Sequence, residues 1–116
     1  VGLYQTTVEE QDFPFMPPCE CGGKEDVRWL ELLDQDGAGI RITGDAPFHF
    51  DAHHSSMADF IQAKHLHELT QHEDIFLNID RKHAGLGGDE GWTKNLHPEF
   101  RVEPDVYHLN LVIEPI

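Results

Sequence analysis

Several groups of side chains in this sequence are of types that could do chemistry. Nine histidines are spread along the chain, and His53-His54, His65-Leu-His67, His72 and His83 invite a metal reading. Zinc sites ordinarily show tight ligand pairs at fixed loop spacing, or His-Glu-x-x-His on a helix, and neither pattern occurs. The two cysteines, Cys19 and Cys21, are separated by one residue, a spacing at which a disulfide is strained. They read as free thiols, and without a second Cys pair they complete no zinc motif, so no metal ligand is expected in this segment. Asp80, Asp89 and Glu90 are carboxylates of the kind that cleave glycosides in pairs. That chemistry needs a defined separation across a sugar, which sequence does not supply, so solvation of a loop is the preferred role. Gly85-Leu-Gly87 opens like a dinucleotide fingerprint, but position 90, where the third glycine belongs, is Glu, and no helical pattern follows.

One further residue is placed in a telling way. Gly85, Gly87, Gly88 and Gly91 fall within seven positions, and the loop they form ends on Trp92. Glycines lose more conformational freedom on ordering than other residues, so a loop that keeps four of them needs positive φ or close backbone approach. Such a loop could hold one indole against something flat, such as a sugar ring. It could equally fold its Trp beneath itself, and composition leaves the two readings even.

The elements that must position this loop are strands. A short alternating run over 75–80, with Ile75, Leu77 and Ile79 on one face, leads into it. Upstream, 27–33 carries apolar groups on both faces, and 35–39 (Gln-Asp-Gly-Ala-Gly) is a turn. Residues 40–43 and 48–51 read as two short strands, with Ile40, Ile42, Phe48 and Phe50 inward, separated by Gly44-Asp-Ala-Pro47. Further strands are expected over 3–8, 99–102 and 106–113. Prolines at 14, 17 and 18 make 12–18 an extended crossing. Ser56 followed by Asp59 has the form of a helix N-terminus, so one short helix is expected there, and 63–74 should be irregular. About seven strands, one helix and no βαβ spacing indicate an all-β antiparallel sandwich, or a slice of one.

At 116 residues the chain is a single domain or a fragment of one. Its 22 acidic against 8 basic side chains, a formal charge of -14, argue against nucleic acid and against an anionic membrane surface as partners. No apolar run approaches a membrane span, and no signal-peptide pattern opens the chain. The start, Val-Gly-Leu-Tyr, lacks Met, so the segment reads as a piece of something longer. Such a start does not reveal the compartment, with a cytoplasmic location ranked ahead of a periplasmic one.

The order of these features resembles the C-terminal end of the large LacZ-type β-galactosidases of glycoside hydrolase family 2. Leu77-Asn-Ile-Asp80, then His83-Ala-Gly-Leu-Gly-Gly-Asp89, then Trp92 carry the resemblance, with His65-Leu-His67 shortly before. A second block, Asp26-Val-Arg-Trp-Leu30, follows Pro18, Glu20 and Gly22, which fit a Pro-Gln-Glu-Asn-Gly element in which Cys19 and Cys21 replace Gln and Asn. The resemblance implies the small-chain, or fifth-domain, β-sandwich, part of a galactose mutarotase-like supersandwich. It implies that the catalytic glutamates, and the Mg2+ and Na+ of full-length relatives, lie outside this segment, in a TIM barrel and a jelly-roll domain of the same chain. It also implies a homo-oligomeric enzyme acting on β-galactosides such as lactose. By the same resemblance Trp92 is a sugar-stacking residue at the active-site mouth, while His83, Gly85, Gly87, Gly88 and Asp89 shape or brace its loop. The segment by itself would be inactive. The contrasting reading is a free-standing carbohydrate-binding module that uses the same Trp without a barrel.

Overall fold

The computed structural model describes residues 1–84 and 96–116. Its regular elements are β1 (Lys24–Leu33), β2 (Gly39–His53), α1 (Met57–Gln62), β3 (Phe76–Asp80) and β4 (Leu111–Pro115), with 3-10 turns at Glu9–Gln11, Leu66–Glu68 and Pro98–Phe100. The fold is all-β with one short helix, as the alternation implies. The strands form a four-stranded sheet in the order β1-β2-β3, with β4 also paired to β2.

Local chemistry explains the best-defined connections. Between β1 and β2 the Asp34 carboxylate accepts from the Asp36 and Ala38 amides, both at 2.9 Å, and Gly37 takes φ 81°, where a Cβ would be strained. The resulting tight turn makes β1 and β2 an antiparallel hairpin. α1 begins as its sequence dictates. The Asp59 amide donates to the Ser56 hydroxyl at 3.2 Å, and the Asp59 carboxylate accepts from the Ser56 amide at 2.7 Å, a reciprocal capping box.

The strand expectations need four corrections. Residues 40–43 and 48–51 belong to one 15-residue strand, β2, because Gly44 to Pro47 stays extended, a conformation that the fixed φ of Pro47 fits at the loss of one ladder donor. Residues 3–8 form no strand. Instead Glu10 accepts from the Thr7 amide and the Thr6 hydroxyl, and these local bonds wind the chain into the Glu9–Gln11 turn. Residues 99–102 give way to the Pro98–Phe100 turn, with Pro98 pre-set for a helical start and the Phe100 amide donating to His97 O at 3.0 Å. The last strand starts only at Leu111, where it pairs antiparallel with β2, Ile113 opposite Ile42. Four strands thus stand among the described residues where about seven were expected.

The chain divides into two compact units, Val1–Glu25 with Phe50–Ile79, and Asp26–His49 with Asp80–Ile116. In the first, Ala52, Phe60 and Ala63 are the buried apolar residues, joined by buried Asp51, His53 and Ser55. In the second, Leu30, Ile42 and Phe48 are buried, together with His49. The inward face expected for β2 is right for Ile42 and Phe48 but incomplete: His49, Asp51 and His53, at the alternate positions, are buried as well.

Candidate functional site

In the second unit, β3 hands the chain from Asp80 to the segment that enters the glycine loop. The Asp80 carboxylate lies 3.2 Å from His49 Nδ1, and the His83 ring stacks on His49 with centroids 4.2 Å apart and planes 19° from parallel. Arg81 donates to Pro47 O at 3.2 Å, and the Lys82 ammonium sits 5.4 Å from the Tyr107 ring centroid. Asn110 donates to Asp45 at 2.7 Å, and this bond holds the Asp45 carboxyl below the usual carboxylate range. Residues 80–83 are therefore tied to β2 by an ion-pair geometry, a ring stack and a side-chain hydrogen bond to a backbone carbonyl. Of the residues singled out from sequence, His83 stands in this group. Gly85, Gly87, Gly88, Asp89, Glu90 and Trp92 lie outside the described residues.

The first unit holds a second constellation, drawn from three segments. His53, at the end of β2 and only 1% exposed, donates from Nδ1 to Asp12 Oδ1 at 2.7 Å. Its Nε2 is buried with no hydrogen-bond partner, although Asp51 Oδ1 lies 3.5 Å away. The His53 ring meets Phe60 edge-on at 5.1 Å, which fixes its orientation. Cys21 Sγ accepts from the Phe13 amide at 3.1 Å and lies 3.6 Å from Gln11 O. Burial pushes the Cys21 thiol above its ordinary range. The close approach of these two segments depends on Gly22, which has φ 73° and where a Cβ would stand 2.7 Å from Gln11 O. One ligand atom from each of Asp12, Cys21 and His53 lies within 4.8 Å of the other two.

Asn78, from the Asn-Ile-Asp block, joins this constellation to the Pro-x-Glu-x-Gly element. Its amide donates to Asp51 at 2.7 Å and to Glu20 at 3.1 Å. Two sequence blocks nearly sixty residues apart thus meet at one side chain.

A polar depression of about 360 Å³ is lined by Asp59, Gln62, Ala63, Lys64, Glu68 and Thr70. Its carboxylates are already engaged. The Ser56 hydroxyl and amide hold Asp59 below the usual range, and the Lys64 and His65 amides do the same for Glu68. Both are helix-capping groups, and neither is poised for proton transfer.

Sequence reasoning missed Asp12, His49, Asp51 and His53 as a set. The available signal was the alternation His49, Asp51, His53 along a strand whose other face is apolar. Spacing could not attach Asp12 or Cys21 to it, because those contacts span 41 and more than 30 residues of chain.

A family model described as "Beta galactosidase small chain" matches residues 1–113. The chain is 34% identical over 113 residues to a β-galactosidase of Vibrio cholerae, covering 97% of this chain and 10% of that protein. It is 29% identical over 114 residues to a β-galactosidase of Photobacterium profundum, covering 98% and 10%, and 30% identical over 118 residues to one of Streptococcus thermophilus, covering 100% and 12%. It therefore spans about a tenth of the length of the curated relatives it matches. With nearly every residue matched, the chain belongs to the β-galactosidase small chain family.

Proposed function

We propose that this chain is the C-terminal part of a retaining β-galactosidase of glycoside hydrolase family 2, which hydrolyses terminal β-galactosides such as lactose with two carboxylates held elsewhere in the parent. On this reading the segment is one portion of a supersandwich. It completes the active-site mouth with Trp92 and is inactive alone. The observation that carries the reading is the match over residues 1–113 to a region that makes up only about a tenth of its relatives. Exposed apolar residues add support: Trp29, Leu33, Val112 and Ile113 are each 42–61% exposed, the kind of surface that further chain would cover.

Within this proposal the indole packs against the sugar C–H face before any bond breaks, so it contributes to binding of ground state and transition state alike. His83, stacked on His49, and Asp80, paired with the same ring, brace the entry to the loop. Gly85, Gly87, Gly88 and Asp89 shape its course. Mg2+ takes six oxygen ligands, so the sulfur, nitrogen and oxygen donors of Cys21, His53 and Asp12 do not fit it. Mg2+ and Na+ belong, on this reading, to the rest of the parent chain, as does any homo-oligomer interface.

Steady-state kinetics on the full-length protein test the role of Trp92. Trp92→Ala should raise KM for lactose several-fold with kcat little changed. An unchanged KM removes Trp92 from the site. Turnover of a chromogenic β-galactoside by the isolated 116 residues, surviving Trp92→Ala, would contradict the division of labour. Glycan binding by a parent that lacks a barrel would favour the carbohydrate-binding module instead.

A further inference from the structure

We infer that Asp12, Cys21 and His53 form a binding site for a divalent transition-metal ion of zinc type. Three observations converge on it. The donor set is the first: one thiol sulfur, one imidazole nitrogen and one carboxylate oxygen, all mutually within 4.8 Å, is a borderline-soft group that suits Zn2+. In a tetrahedral site with bonds of about 2.0–2.3 Å the ligand atoms stand roughly 3.3–3.7 Å apart. To reach that geometry the 2.7 Å bond between Asp12 and His53 must open to admit the ion.

The second observation is the orphaned His53 Nε2. In the metal-free ring the Nδ1 proton is given to Asp12, and Nε2 is left buried beside the Asp51 carboxylate without a hydrogen bond. Leaving a buried polar atom unpaired is destabilising. A metal on Nδ1 reverses this, because the ring proton then resides on Nε2 and points toward Asp51, 3.5 Å away. A histidine ligand whose other nitrogen donates to a carboxylate is the usual outer-shell arrangement of metal sites. Asp51 is itself held by the Asn78 amide, so the orienting carboxylate is fixed before the metal arrives.

The third is the Phe13 amide, which already donates to Cys21 Sγ at 3.1 Å. An amide aimed at sulfur stabilises the thiolate that a metal requires. Protons balance simply: Cys21 releases one to solvent, while the His53 proton moves from Nδ1 to Nε2. One thiolate and one carboxylate then neutralise the ion's two positive charges, and a water completes the fourth position.

The test uses Co2+ as a spectroscopic stand-in for Zn2+, titrated into the full-length protein after chelator treatment. A thiolate-to-cobalt charge-transfer band in the near ultraviolet should appear, disappear in Cys21→Ser, survive in Cys19→Ser and be displaced by Zn2+. Asp51→Asn should keep the band but weaken Co2+ binding by roughly 10–100-fold, the range expected for an outer-shell group. Unweakened binding in that variant would remove Asp51 as a positioning residue. In the unmutated protein, Zn2+ should also slow alkylation of Cys21 relative to Cys19, read by peptide mass. Absence of a Cys21-dependent band, or equal alkylation of Cys21 with and without Zn2+, overturns the site. Neither readout uses galactoside turnover, so the proposal stands or falls independently of the proposed activity.

Discussion

Two regions of this molecule pair a β2 histidine with an aspartate, and they use the pair differently. At His49 the carboxylate of Asp80 approaches one nitrogen, and the ring's face is covered by exposed His83. At His53 the ring is closed in on all sides, with Asp12 on one nitrogen, Asp51 facing the other, Phe60 at its edge and a cysteine nearby. The first arrangement is short in sequence on one side, since Asp80 and His83 enter together at the end of β3, and under the proposed function it is a brace. The second gathers distant segments around a buried group and suits a structural pin. The difference shows that a histidine's neighbourhood, and not its presence, decides what it does.

Three variants test that contrast, read by amide hydrogen exchange in the full-length protein. The largest effect is expected for His53→Ala. It empties a buried space beside Phe60 and leaves the Asp51 carboxylate without its facing ring, at a cost on the order of 3 kcal/mol. Exchange at the Asp51–His53 end of β2 should accelerate accordingly; protection within tenfold of the wild type would mean that the buried cluster is not a pin. Asn78→Ala comes next. It removes the donor shared by Asp51 and Glu20, and about 1–3 kcal/mol of local stability should be lost, concentrated in β3. If only the segment around Glu20 loosens, the Asp51 contact contributes little. The smallest effect is expected for His83→Ala, because an exposed ring stack is worth about 0.5–1.5 kcal/mol at most. Its exchange signature should stay near residues 80–84 and the His49 region. A loss as large as that of His53→Ala would erase the distinction between brace and pin.

Particular elements show where sequence reasoning reached and where it stopped. The Ser56 to Asp59 cap and the cores of β1 and β3 appear where the pattern placed them, and the turn expected over 35–39 is closed by Asp34 to Ala38, with Gly39 already in β2. Expectations failed in two ways, where sheet pairing carried the chain through an apparent break and where local bonds wound an apparently extended run into a turn. Gly44 to Pro47 looked like a break and is continuous strand; 3–8 and 99–102 looked extended and find turn-forming partners instead.

Residue order and composition alone carried the family, through a match along nearly the full length, together with the all-β class and the acidic balance. Those properties depend on residue order and composition, which need no folded context. Only tertiary structure decided which polar side chains became partners. Asp12, Cys21, Asp51, His53 and Asn78 lie in separate segments, and no spacing rule links them. A strand's alternation says which side a residue takes, but what covers that side comes from chain far away, and for Asp51 and His53 that covering is polar.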